Sequence, residues 1–346
     1  VAATWLVEEG IGETRAALVE GGTILAARID WAGENTLAPG LVAPARVASR
    51  IAGTRRGMLV FDNGAFENGA TALVDGLTPA LPEGASGLFR VTRAAIAEKG
   101  RTKLPMARPA GPAEQACPAP TLAQTLTQSG HPVRLLPVTD RSLDEAGWDE
   151  VMEEAMSGQI AFARGGLCIS PTPAMTLIDV DGIPPLPALA LAAVPAIVAA
   201  IARLDIGGSI GIDFPTLAEK RDRQAVDTAL GEALAALLET TGWRSERTAM
   251  NGYGFVQLVS RLERPSLPAL FARAPLAAAA RQLLRRAERV SGPGTLLLTC
   301  HPALRRAVRP EWEALLARRT GRALHWQLDE ALAPTAGFAQ TVTARP

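Results

Sequence analysis

Two segments read as short strands ending in a carboxylate, Met175-Thr-Leu-Ile-Asp-Val-Asp-Gly182 and Gly207-Gly-Ser-Ile-Gly-Ile-Asp-Phe214, and one helix's length of chain separates them. That spacing constrains the fold most, because a strand, an apolar helix and a second strand form a right-handed crossover with parallel strands. With residues 186 to 203 as the crossover helix, Asp179 and Asp213 lie at the same carboxyl edge of one sheet, where open α/β sheets place their ligand sites. Alternation puts Leu177, Asp179 and Asp181 on one face and Thr176, Ile178 and Val180 on the other, with the carboxylates of Asp179 and Asp181 about 7 Å apart at Cα. Asp179-Val-Asp181-Gly182 alone also suits a turn, with Gly182 at positive φ and an aspartate bonded to its own backbone. The second Asp-ended strand favours a shared site. Two aspartates suffice for Mg²⁺, whose octahedron is usually completed by water and substrate phosphate, so Asp181 is a spare or an orienter.

The stretch Gly182 to Ala202 carries no charge over 21 residues, enough by length to cross a membrane. It holds Pro184, Pro185, Pro187 and Pro195, and both flanks are strands needing a common aqueous face, so a buried crossover helix entered through prolines is the better reading. No basic n-region or apolar h-region precedes Glu8, Glu9 and Glu13, and the expectation is a cytoplasmic protein without a membrane partner.

The 346 residues, 48% apolar and 20% charged, can bury a sizeable core and divide into two or three domains. Formal charge is zero but uneven: −4 over residues 1–40, +5 over 41–110, −7 over 111–275 and +6 over 276–346. An acidic block between basic flanks suits a metal site between surfaces that hold a polyanion, and equally suits solvated faces without function. Cys117, Cys168 and Cys300 include no Cys-x-x-Cys pair, which argues against a zinc site or disulfide framework. His131, His301 and His325 have no nucleophile motif nearby, which argues against a serine or cysteine hydrolase.

Residues 1–36 read as two strands joined at Gly21-Gly22. Residues 41–110 alternate apolar runs with glycine-containing turns, as a small β-barrel does, and 109–131 read as a linker rich in Pro, Ala, Gly, Gln and Thr. A helix is expected from Leu143 to Met156 and another after Asp213, with Val226, Leu230, Leu234, Leu237 and Leu238 on one face. Beyond residue 276 the pattern is helix (277–290), strand (295–300), helix (310–319) and strand (322–327).

In order along the chain stand Glu13-Thr-Arg-Ala-Ala-Leu-Val-Glu-Gly21, Glu98-Lys99-Gly100, the Ile178-Asp179 strand, Gly207-Gly-Ser-Ile-Gly-Ile-Asp-Phe214, Lys220-Arg-Asp-Arg-Gln-Ala-Val226, Tyr253-Gly-Phe-Val-Gln257 and Arg264-Pro-Ser-Leu267. This succession resembles the catalytic half of the ribonuclease E/G family. The resemblance implies an α/β (α+β multidomain) protein: an RNase H-like layer (1–40 and 131–164), an inserted S1-like OB β-barrel (41–110), a DNase I-like catalytic domain (165–275) and a small α/β domain (276–346). A linker (111–130) replaces the family's sensor domain for the RNA 5′ monophosphate, and Gly252 stands where the family has its sensor arginine. The family's Cys-Pro-x-Cys zinc link is missing after Arg264-Pro-Ser-Leu267, so a monomer or dimer is expected rather than a zinc-linked tetramer.

The implied function is a Mg²⁺-dependent endoribonuclease that cuts single-stranded RNA to a 5′ phosphate and a 3′ hydroxyl. Asp179 and Asp213 are the implied metal ligands and, with Asp181, the catalytic set. Asp181 replaces a family asparagine; it can accept hydrogen bonds or bind the cation but cannot donate as an amide does. Lys99, Arg101 and Phe61 are the implied RNA-binding residues of the barrel, Lys99 by its Lys-Gly context and Phe61 one residue off the family's stacking register. The alternative is an RNA-binding protein of the same fold with weak or lost cleavage, and a third reading is a small-molecule phosphotransferase or phosphatase using Asp-x-Asp.

Overall fold

The computed structural model describes residues 2–31, 37–61, 69–98 and 101–342. The chain is a mixed α/β protein that contains a closed five-stranded β-barrel. The strands Thr4–Glu9, Thr14–Glu20 and Thr23–Asp30 form an antiparallel meander, the last two joined at Gly21-Gly22. Val133–Leu136 returns to pair in parallel with the first of them, completing a four-stranded sheet. Between these elements the chain makes the barrel from Val42–Arg50, Arg56–Phe61, Ala70–Asp75, Ser86–Arg93 and Met106–Pro109. Its interior is a separate core that includes Val47, Leu59, Phe61, Val74, Phe89 and Val91.

Phe61 is therefore a barrel core residue, 0% exposed, and not a platform for a base. Its strand alternates Gly57, Leu59 and Phe61 inward with Met58 and Val60 outward, so the parity of the pleat decides the matter. Arg101 stands in the short strand Arg101–Lys103, paired with Glu98, and Lys99 lies outside the described residues.

The segment read as a linker is partly ordered against the body. Cys117 exchanges backbone hydrogen bonds with Val42, and Leu122–Leu126 is a helix whose Leu122 and Leu126 are buried. Thr121 caps that helix and Gln124 bonds back to the Thr121 amide, a capping box that the Thr-Leu-Ala-Gln sequence encodes. The expected helix 143–156 is broken at Gly147 into Ser142–Glu145 and Trp148–Ser157.

Six strands follow in the spatial order Gln159–Phe162, Gly165–Pro171, Thr176–Gly182, Ser209–Asp213, Phe255–Ser260 and Ser245–Arg247. Gln159–Phe162 opens this sheet, ahead of the boundary expected at residue 165. The crossover helix is Leu186–Arg203, the one described helix long and apolar enough to cross a membrane. Here it joins two register-paired strands, buries Leu189, Ala190, Ile197 and Ile201, and packs against the helix Lys220–Thr241 and the strand Thr23–Asp30. One continuous core thus spans both sheets.

The remaining chain forms the helices Leu267–Arg273, Pro275–Glu288, Pro302–Ala307 and Pro310–Thr320 with a three-stranded sheet, Thr295–Cys300 between Leu324–Leu328 and Gly337–Val342. Much of its positive charge is structural. Arg281, 1% exposed, lies between the rings of Trp31 and Trp312 (4.1 and 4.6 Å to the centroids) and donates to the Gly12 carbonyl at 2.9 Å. Arg285 pairs with Glu13 at 2.6 Å and Arg289 with Glu8 at 2.9 Å, while Arg15 joins Glu8 and Asp144. These arginines tie the last helices to the first sheet.

Candidate metal centre

Alternation along Thr176–Gly182 sends Thr176, Ile178 and Val180 into the core and leaves Asp179 and Asp181 exposed on the opposite face. The neighbouring strand does the same with Ile210 and Ile212 buried and Asp213 exposed. The two strands run parallel, and Asp179 and Asp213 are direct register partners at their carboxyl ends. Neighbouring strands lie about 4.8 Å apart, so two carboxylates can address one ion.

The aspartates rest on a small apolar floor. An added Cβ at Gly211 would lie 2.6 Å from Phe255 Cζ and 2.9 Å from both Leu177 Cδ2 and Met175 Sδ, so the glycine lets these side chains converge beneath the pair. Across the sheet, Phe255 is the register partner of Asp213. The turn before it is fixed by Asn251, whose Oδ1 accepts from the amides of Tyr253 and Phe255 at 2.9 and 3.0 Å. Gly254, at φ +94°, fits where a Cβ would stand 2.4 Å from the Phe214 carbonyl oxygen. This turn presents Tyr253 at the same edge, 81% exposed. In the sequence its signal is the chain's single tyrosine, inside an Asn-Gly-Tyr-Gly turn.

Electrostatically the edge is anionic. Partial desolvation at the sheet edge, then Asp181, then Asp213 push the carboxyl of the exposed Asp179 above its usual range. None of the three aspartates has an ion-pair partner among the described residues. The crossover helix and Lys220–Thr241 both begin at this edge, and helix N-termini carry partial positive charge. The second begins with Lys220 and Arg221, the latter 83% exposed, cations that oppose the helix dipole and face solvent.

Among the described residues no group of three or more His, Cys, Asp or Glu side chains is arranged to hold a metal. The pair Asp179 and Asp213 offers two hard oxygen ligands with open positions, the donor set that suits Mg²⁺ shared with a phosphate. The barrel arginines are less available than the sequence suggests. Glu114 pairs with Arg90 and, at 2.9 Å, with Arg108, which together with the Gly111 amide holds its carboxyl down at about 2. Arg93 donates to the Leu104 carbonyl at 2.8 Å. Comparison with protein-family models and with curated proteins finds no match.

Proposed function

We propose that this chain is a Mg²⁺-dependent endoribonuclease of the ribonuclease E/G type, acting on single-stranded RNA. The observation that carries the reading is the register pairing of two exposed aspartates at the carboxyl ends of parallel strands, without an ion-pair partner among the described residues. On this reading the four-stranded sheet and its barrel insertion correspond to the RNase H-like layer with an S1-type OB barrel, and the six-stranded unit to the DNase I-like catalytic domain.

Asp179 and Asp213 would hold the cation. A cation held by this pair would supply Lewis acidity to a phosphoryl oxygen and make a water more acidic. Asp181, two residues further along the same face, accepts a hydrogen bond from the attacking water and adds negative charge that the cation must offset. Lys220, Arg221 and the helix starts around them receive flanking phosphates, and Tyr253 stacks a base beside the scissile position.

The test is cleavage of end-labelled single-stranded RNA with Mg²⁺ and with EDTA. Metal-dependent products ending in 5′ phosphate and 3′ hydroxyl are expected; their absence with intact RNA binding would replace the reading by that of an RNA-binding protein. The specific feature favouring that second reading is Asp181, whose charge raises the proton affinity of Asp179 where phosphate must approach.

A further inference from the structure

At the opposite, amino edge of the six-stranded sheet opens a cavity of about 750 Å³, within the size range of small-molecule sites. Gly207, just before the Asp213 strand, and Ser260, at the end of its antiparallel neighbour, place it on the far side of the sheet from the carboxylates. Four arginines line it, Arg28, Arg244, Arg261 and Arg264, against three carboxylates, Asp205, Glu246 and Glu263.

The charges are shared unequally. Arg28 and Arg264 both address Asp205, at 3.2 and 3.7 Å, while Arg261 and Arg264 both address Glu263, at 3.1 and 3.4 Å. Three guanidiniums thus divide two carboxylates. Arg244 is exposed and has no partner among the described residues. Asp205, 15% exposed, keeps a buried Oδ2 that lacks a hydrogen bond. It is also the one non-glycine residue at positive φ among the described residues (51°), a conformation that tertiary packing must hold. Burial lowers the Arg28 pKa, Asp205 counters this, Arg264 lowers it further and Glu263 counters again. Beside the arginines the Trp243 indole lines the cavity, pinned by its N–H donating to the Ile206 carbonyl at 3.1 Å.

Paired guanidiniums match phosphate geometry, and an indole offers a flat apolar surface to a heterocycle. We propose that this cavity binds a nucleotide-sized phosphomonoester, with Arg244, Arg261 and Arg264 taking the phosphate and Trp243 flanking the base. The site is independent of the carboxylate pair and of any cleavage activity.

Calorimetric titration of the full chain in EDTA with 5′-adenosine monophosphate, 5′-uridine monophosphate, adenosine and inorganic phosphate tests it. Saturable binding of both nucleotides is expected, with adenosine and phosphate each at least tenfold weaker. Arg244→Ala, an exposed change that spares the fold, should weaken nucleotide binding at least tenfold, as should Arg264→Gln checked for retained circular dichroism. Asp213→Asn should leave it unchanged. Competition by a 5′-phosphorylated but not a 5′-hydroxyl oligonucleotide would assign the phosphate to a chain terminus, and no competition by either would assign it to a free nucleotide; both carry the same chemistry. Absence of saturable binding, adenosine or phosphate binding as tightly as the nucleotides, or unchanged affinity in both arginine variants would overturn the proposal.

Discussion

Asp213→Asn keeps the side chain's shape and removes one of the two charges proposed to hold the cation. A carboxylate oxygen sits about 2.1 Å from Mg²⁺. At that distance its attraction to a doubly charged ion is roughly 4 kcal/mol even with the full screening of water. The asparagine carbonyl returns part of this, so the Mg²⁺ concentration for half-maximal cleavage should rise by about ten- to a thousandfold, at about 1.4 kcal/mol per factor of ten. A second readout has the opposite sense. Asp213 is one of two like charges that raise the Asp179 pKa, so its neutralisation lets Asp179 ionise at lower pH and moves the acid limb of the pH–rate profile down. The sign for stability follows from the same shift. A carboxyl whose folded pKa is raised stabilises the fold fully below its unfolded pKa and loses that contribution as pH rises through the folded pKa. At neutral pH without metal the ionised cluster therefore costs stability, and Asp213→Asn should raise the Tm in EDTA. Rates across a Mg²⁺ series, a pH profile at limiting metal, where proton and cation compete for Asp179, and thermal melts in EDTA measure the three effects. A wild-type metal requirement, or a lower metal-free Tm, would refute the reasoning.

Phe61→Ala should cost about 3–5 kcal/mol by opening a cavity in the barrel core, read by urea denaturation; a stable variant with selectively weakened RNA binding would return Phe61 to the surface. Arg281→Met should cost about 2–5 kcal/mol, since it strips hydrogen bonds from the Gly12 and Ala277 carbonyls, and denaturation curves would show it. Tyr253→Ala should raise KM for single-stranded RNA about fivefold to a hundredfold with kcat nearly unchanged, while Tyr253→Trp retains binding, because stacking is worth about 1–3 kcal/mol per base. Lys220→Ala combined with Arg221→Ala should flatten the dependence of log affinity on log salt, measured by filter binding, if both cations meet phosphates.

Local chemistry alone determined the central βαβ unit. Alternation about Asp179 and Asp213, the apolar crossover 186–203, and the leucine face after Lys220 each agree with the element that forms, because propensity, periodicity and burial point the same way there. The barrel was legible as strands and turns, and its closure follows from those strands pairing edge to edge. What only the tertiary structure decided depends on which face a neighbour covers. Phe61 is inward because the pleat of Arg56–Phe61 has one parity, and a one-residue difference reverses every side chain. Residues 111–130 are anchored by Cys117 and a capped helix, contacts to Val42 and the core that composition does not encode. The basic surplus after residue 276 looks like a polyanion surface in sequence. In the fold Arg281, Arg285 and Arg289 are engaged by Trp31, Glu13 and Glu8, partners 250 or more residues away along the chain. The arginine cavity was likewise invisible, since Arg28 meets Arg264 only through Asp205, at a junction of three segments that tertiary packing alone brings together.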